Sequence, residues 1–134
     1  MLFAFGDDLA TNPYLPHNHV ENCVVYTGTH DNNTTKGWFE NEAAPEVKKN
    51  LFRYIGREFS GDDIYWELIR LAMMSVAKMV IFPIQDILGL GGETRMNRPS
   101  TAKGNWRWRL LPDQLTPELG HKLREMTEIY GRTL

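Results

Sequence analysis

Three short apolar runs in this chain each end in a turn that carries acidic residues, and this pattern restricts the fold more than any other feature. The runs and the polar residues that follow them are 2–5 with Asp7 and Asp8, 23–26 with His30 and Asp31, and 79–82 with Asp86. Parallel-barrel enzymes present polar groups to a substrate at the carboxyl ends of their strands. The pattern therefore predicts an α/β fold in which three parallel strands share one active-site face.

Helix signals lie between and after these runs. Pro45 suits the first position of a helix. A second helix is predicted from Ile64, because apolar residues follow there at helical spacing. This helix is expected to bury Val76 and to lead directly into the third strand. Residues 36–41 are expected to form a short helical turn. A final helix is predicted from Thr116 to Gly131. Residues 84–104 are predicted to be a long functional loop, because loops of that length are uncommon without a function.

The composition argues against several classes of protein. The 134 residues include 42% hydrophobic and 24% charged residues, as in soluble globular domains. A net charge of −2 gives no reason to expect a nucleic acid or an anionic membrane as partner. The single cysteine, Cys23, excludes an internal disulfide framework and is expected to be a buried strand residue. Without a transmembrane or signal segment, the expected location is cytoplasmic.

Four motifs carry a resemblance to a known family. They are Asn-Pro-Tyr-Leu-Pro-His-Asn (12–18), Tyr-Thr-Gly-Thr-His-Asp-Asn (26–32), Pro-Ile-Gln-Asp-Ile-Leu-Gly-Leu-Gly (83–91) and Arg-Met-Asn-Arg-Pro-Ser-Thr-Ala-Lys-Gly-Asn-Trp-Arg-Trp-Arg (95–109). In this order they resemble the C-terminal part of the 4-α-glucanotransferases, also called amylomaltases or disproportionating enzymes. Ser100 and Asn33 depart from the family pattern, in which glycine and aspartate are usual.

The resemblance implies four site residues. Asp31 matches a catalytic aspartate that hydrogen-bonds the hydroxyls of the transferred sugar and stabilises the transition state. His30 matches a histidine that donates to the same sugar, Asn97 matches a substrate-contacting asparagine of the long loop, and Asp7 lies near the position of an active-site aspartate. An ionised carboxylate suits this role, because charge-assisted hydrogen bonds are about twice as strong as neutral ones. The resemblance implies neither a cofactor nor a metal.

The resemblance also implies a fold and a function for a longer parent protein. A TIM-type (β/α)₈ barrel needs about 200–250 residues, so residues 1–134 are expected to be a partial glycosidase-type catalytic domain with about the last three strand–helix units. The implied reaction transfers 4-α-glucanosyl segments between maltooligosaccharides, as in starch and maltose metabolism, through a covalent glucosyl-enzyme. Retention requires two carboxyl groups, a nucleophile and an acid/base, and both are expected in the missing N-terminal part of the barrel. This chain alone is therefore expected to be inactive.

Several alternatives stay open from the sequence. The function could instead be that of a non-catalytic α-glucan-binding fragment or pseudoenzyme, or of an α-glucan hydrolase of the same clan. Asp31 and Asp86 could form a catalytic pair, although the family uses neither as nucleophile. Arg95 either braces the long loop through backbone carbonyls or touches sugar. Three tryptophans are either sugar platforms or buried packing residues: Trp38, and Trp106 with Trp108 on one face of an extended segment.

Overall fold

The computed structural model describes residues 1–133 and shows two short parallel strands surrounded by helices. The strands are β1 (Val24–Tyr26) and β2 (Met79–Ile81). The α-helices of this described part are α1 (Thr35–Asn41), α2 (Pro45–Ile55), α3 (Ile64–Met73), α4 (Ile84–Ile87) and α5 (Pro117–Ile129). Three 3₁₀ turns lie at Pro16–Asn18, Gly92–Thr94 and Pro112–Gln114. Within residues 1–133, no helix is both long and apolar enough to cross a lipid bilayer.

The two strands set the position of the turns that follow them. Val24 pairs with Met79, and Tyr26 pairs with Ile81, in parallel register. Helices α1 to α3 form the connection between the strands, as parallel strands require. The carboxyl ends of β1 and β2 consequently lie side by side, and the turn at residues 27–35 is a neighbour of the segment at residues 82–87, which includes α4.

Local sequence signals explain where the helices begin and end. The Thr34 hydroxyl accepts a hydrogen bond from the Gly37 backbone N–H at 3.0 Å and so caps α1. Pro45 occupies the first position of α2, and Gly56 ends that helix with a left-handed φ of 87°. Thr116 caps α5 in the same way as Thr34 caps α1. The helix starts predicted at residues 45, 64 and 116 are confirmed.

The main hydrophobic core lies between the N-terminal segment and helices α1, α2 and α3. Its fully buried members include Phe5, Leu15, Leu51, Ile64 and Leu68. A smaller cluster of Ile69, Met73 and Met126 joins α5 to α3. Arg132 strengthens this junction by donating to backbone carbonyls at the end of α3 and in the following turn, those of Ala72, Met73, Ser75 and Ala77.

The first predicted strand is wrong, because residues 2–5 form turns. Met1, Leu2, Ala4 and Phe5 are all buried, so the apolar side chains do not alternate as those of a half-buried strand would. The Met1 amine donates to the carbonyl oxygens of Tyr26 and Thr27 at 2.9 and 3.3 Å. Cys23 also differs from the expectation: it precedes β1, is partly exposed and donates to the Val20 carbonyl at 2.9 Å.

Two predicted details of the central part of the chain also need correction. Helix α3 ends at Met73, and a turn separates it from β2, so Val76 is 63% exposed and not buried. The predicted loop at residues 84–104 contains the short helix α4 and a 3₁₀ turn. Gly37 allows this loop to approach α1, because a Cβ at that position would lie 2.7 Å from the Gly92 backbone nitrogen.

Candidate active site

His30 and Asp31 are exposed on the turn that joins β1 to α1. The His30 Nε2 atom lies 3.4 Å from the Asp31 Oδ1 atom, and the Asp31 side chain is 51% exposed. The Asn32 side chain shapes the turn, because its Oδ1 accepts hydrogen bonds from the backbone N–H of Thr29 at 2.8 Å and from the Thr29 hydroxyl at 3.0 Å. The turn therefore has a defined local geometry while its histidine and carboxylate remain open to a ligand.

Asn97 reaches this turn from the long loop that follows α4. Its Nδ2 donates to Asp31 Oδ1 at 2.7 Å, and its backbone N–H donates to the His30 carbonyl at 3.1 Å. Three of the four predicted site residues are thus in direct contact, although 66 positions separate Asp31 from Asn97. Within residues 1–133, Asp31 Oδ2 accepts no hydrogen bond and remains available to hydroxyl donors.

Arg95 braces the two segments that form this cluster. Its Nη2 donates to the Asp31 carbonyl at 2.6 Å, and its Nε donates to the Asn97 carbonyl at 2.9 Å. Its Nη1 lies 3.3 Å from Glu42 Oε1, which also accepts from Asn33 Nδ2 at 2.8 Å. These contacts support the alternative in which Arg95 braces the long loop through backbone carbonyls. Glu42 was not predicted, because no sequence motif relates the end of α1 to the long loop.

Trp38 and Trp106 have different environments, and Trp108 is partly buried. Trp38 is buried in the core, with its ring centroid 6.4 Å from that of Phe5. Trp106 is 52% exposed, and its ring centroid lies 5.1 Å from that of His30. Trp106 adopts a left-handed φ of 59°, so the period-two arrangement predicted for it and Trp108 does not apply. Trp38 is therefore a packing residue, whereas Trp106 borders the His30–Asp31 turn.

Asp86 lies beneath this turn and is not exposed to a ligand. Its side chain is 1% exposed, and it accepts hydrogen bonds from the Thr27 hydroxyl at 2.6 Å, the Thr35 hydroxyl at 2.8 Å and the Thr35 backbone N–H at 2.7 Å. Burial raises the pKa of the Asp86 carboxyl, against the lowering effect of these three donors. Asp86 is thus a buried structural acceptor, which contradicts the alternative that it pairs with Asp31 in catalysis.

Asp7 lies in an exposed turn near the N-terminus. The neighbouring Asp8 accepts a hydrogen bond from Asn12 Nδ2 at 3.1 Å. Within the described residues, no hydrogen bond joins Asp7 to His30, Asp31 or Asn97. A sugar contact by Asp7 stays a prediction.

Ser100 has a left-handed φ of 63°, a conformation that glycine adopts without strain.

A family model described as 4-alpha-glucanotransferase matches residues 1–115. The chain belongs to the 4-alpha-glucanotransferase family. The resemblance carried by the four sequence motifs is thereby confirmed.

Curated relatives support the same family assignment. A 4-alpha-glucanotransferase of Synechocystis sp. is 52% identical over 133 residues, which cover 98% of this chain and 26% of the relative. One from Thermus thermophilus is 49% identical over 136 residues, covering 97% of this chain and 27% of the relative. A 4-alpha-glucanotransferase of Solanum tuberosum, named as chloroplastic/amyloplastic, is 48% identical over 134 residues. The match covers 97% of this chain and 23% of the relative. The chain spans about a quarter of the length of these relatives. The cytoplasmic location stays a prediction.

A solved structure of the 4-alpha-glucanotransferase family extends the comparison to the fold. The amylomaltase from Streptococcus agalactiae in complex with acarbose matches with a TM-score of 0.87 and 36% identity. The match covers 97% of this chain and 26% of that structure. The α/β fold with parallel strands is confirmed, although two of the three predicted strands are present within residues 1–133.

Proposed function

We propose that the full-length protein transfers 4-α-glucanosyl segments between maltooligosaccharides with retention, through a covalent glucosyl-enzyme. The observation that carries this proposal is the exposed cluster of His30, Asp31 and Asn97 at the end of β1, in a chain of this family. Retaining transfer needs a nucleophile and an acid/base in addition. In the proposal these two carboxyl groups come from parts of the protein outside this chain.

Within this reaction, Asp31 stabilises the transition state by accepting hydrogen bonds from the hydroxyls of the transferred glucose. Asn97 already occupies Asp31 Oδ1 at 2.7 Å, which leaves Oδ2 for the sugar. The adjacent His30 imidazole donates to the same sugar, and Asp7 contributes a further contact. Such hydrogen bonds accelerate the reaction only if they strengthen as the ring flattens toward an oxocarbenium ion. No cofactor is needed for this chemistry.

We further propose that this chain forms the C-terminal part of a TIM-type barrel, corresponding to about the last three strand–helix units, and packs against the rest of it. One face of the two-stranded sheet carries exposed apolar side chains, those of Val24, Tyr26, Met79 and Ile81. Barrel closure would cover this face and pair the free strand edges. Two of these units would contribute β1 and β2, and residues 2–5 would contribute turns where the third strand was expected.

Product analysis with the full-length protein tests the proposed function. Maltotriose is the substrate, and the products are separated by chain length. Glucose together with chains longer than maltotriose is the expected result. Shorter sugars alone would indicate the hydrolase alternative, and calorimetric binding without any product would indicate a non-catalytic glucan-binding protein. Proton NMR of the longer products should show α-1,4 linkages, as retention requires.

A further inference from the structure

One buried carboxylate holds both ends of the turn that carries His30 and Asp31. Thr27 directly follows β1, and Thr35 is the first residue of α1, so these two threonines mark the start and the end of the turn. Both donate their hydroxyls to Asp86 Oδ2, at 2.6 and 2.8 Å. The Thr35 backbone N–H donates to Asp86 Oδ1 at 2.7 Å. The ends of the turn are therefore fixed relative to each other through a single side chain.

Asp86 is itself held by the sheet. It lies in α4, which begins three residues after β2, and its backbone N–H donates to the Pro83 carbonyl at 3.0 Å. The Gly89 backbone N–H donates to the Asp86 carbonyl at 3.1 Å. Because β2 pairs with β1 in register, the position of the carboxylate follows from the strand pairing. A change in the turn would require either the loss of these hydrogen bonds or a movement of α4.

The geometry points to Asp86 as a positioning residue, which sets the position of Asp31 by holding Thr27 and Thr35. This inference rests on the proposed function of Asp31. Asp86 does not touch the substrate, because its side chain is buried. Its effect on the reaction is through the turn. Displacement of a reacting group by about 1 Å can lower a rate by roughly 100-fold, so a small movement of the turn has a measurable effect.

A positioning role and a purely structural role predict different results. A structural residue changes the fraction of folded protein, but the folded fraction keeps the kcat and KM of the wild type. A positioning residue lowers kcat more than it changes KM, because Asp31 acts in the transition state. It also changes the local dynamics of residues 28–34, whose amide hydrogen exchange is measurable without any substrate.

The experiment uses five variants of the full-length protein. Asp86→Asn is close to isosteric but turns an amide nitrogen toward one of the three donors. Thr27→Val and Thr35→Val each remove one hydroxyl donor and keep the side-chain shape, and they carry the test if substitution of Asp86 prevents folding. Thr35→Ser keeps the hydroxyl. Thr127→Val is the matched control, because its hydroxyl donates to the Leu123 carbonyl within α5.

Kinetics with maltotriose and hydrogen–deuterium exchange are measured for each folded variant. Asp86→Asn and Thr35→Val should lower kcat about tenfold or more, with KM nearly unchanged, and should accelerate exchange in residues 28–34 about tenfold. Thr27→Val should act in the same direction. Thr35→Ser should restore most of the kcat, and Thr127→Val should match the wild type in kcat and in exchange of this turn.

Two outcomes would overturn the inference. The first is a lower melting temperature of Asp86→Asn and Thr35→Val with unchanged kcat, KM and exchange, which would make Asp86 purely structural. The second is an equal loss of kcat in Thr35→Ser and Thr35→Val, which would make the hydroxyl irrelevant. If the wild-type full-length protein does not disproportionate maltotriose, the proposed function fails. The exchange measurement then decides alone whether Asp86 holds the turn.

Discussion

The turn after β1 and the short helix α4 after β2 each contain an aspartate, Asp31 and Asp86, but the two side chains have opposite environments. Asp31 is half exposed and shares one oxygen with Asn97, so its other oxygen is available to a ligand. Asp86 is 1% exposed and accepts three hydrogen bonds from Thr27 and Thr35. The same sequence signal, an acid after an apolar strand, therefore marks an exposed acceptor after β1 and a buried brace after β2.

This difference follows from what surrounds each carboxylate. A buried carboxylate is tolerated when several donors compensate for its lost hydration. The two hydroxyls and one backbone N–H around Asp86 supply part of that compensation, although burial still raises the pKa of its carboxyl. Asp31 retains part of its hydration and needs fewer protein donors, which leaves acceptor capacity for sugar hydroxyls. The two aspartates should therefore respond differently to the same substitution.

The largest expected effect is the loss of activity in Asp31→Asn. Asparagine can still accept from Asn97 but lacks the charge that strengthens hydrogen bonds to the sugar. By analogy with the removal of one oxyanion-hole donor, kcat of the full-length protein should fall by about 10²–10³-fold. The free energy of unfolding should change by less than about 0.5 kcal/mol, because the side chain is half exposed. Maltotriose kinetics and thermal denaturation measure the two quantities.

The control for this substitution is Asp113→Asn, which makes the same change at an exposed aspartate of the 3₁₀ turn before α5. It should keep wild-type kinetics and stability. Unchanged disproportionation in Asp31→Asn would show that Asp31 does not stabilise the transition state. The exposed and the buried aspartate would then not differ in function.

The second effect is the loss of stability in Asp86→Asn. An amide in place of the carboxylate removes the charge, and its nitrogen cannot accept the hydrogen bonds that the replaced oxygen received, so the buried network must rearrange or lose a bond. An unsatisfied buried polar group costs about 1–3 kcal/mol, so we expect the free energy of unfolding to fall by about 2 kcal/mol. Urea denaturation of the full-length protein measures this loss. An Asp86→Asn protein as stable as Asp31→Asn would show that the buried and the exposed aspartate contribute equally to stability.

These contrasts also show how much the sequence alone could predict. The four motifs identified the family, and the polar residues after the second apolar run identified the His30–Asp31 turn. The partners of Asp86 were not predictable, because Thr27 and Thr35 are 59 and 51 positions away and are recognisable only from the strand register. The first strand was mispredicted because a four-residue apolar run fits a buried turn as well as a strand.

The third effect concerns Arg95, which holds Asp31 and Asn97 through their carbonyl oxygens. Arg95→Lys keeps the charge, but a single ammonium group cannot contact the Asp31 carbonyl, the Asn97 carbonyl and Glu42 in the way the guanidinium does. We expect kcat/KM to fall on the order of tenfold, equivalent to about 1.4 kcal/mol. Arg98→Lys, the same change at an exposed neighbour, is the control. Equal kinetics in both variants would mean that the Arg95 brace does not contribute to the position of Asp31.

The smallest effect is a difference in the pH dependence of stability between wild type and Asp86→Asn. Burial raises the pKa of the Asp86 carboxyl in the folded protein, whereas the unfolded chain has the ordinary value. Between these two pKa values the folded protein holds a proton that the unfolded chain has released. The stabilisation that protonated Asp86 provides is therefore complete below the ordinary pKa and is lost as the pH rises through the raised pKa.

Asp86→Asn removes this titration, so the stability difference between wild type and variant should be largest at acidic pH and should shrink as the pH increases. Urea denaturation of both proteins at a series of pH values from acidic to neutral measures that difference. Asp31→Asn serves as the reference for the loss of a half-exposed carboxylate. A stability difference for Asp86→Asn that grows with pH would mean that the three donors outweigh burial. In that case the buried Asp86 carboxylate would be stabilised in its charged form.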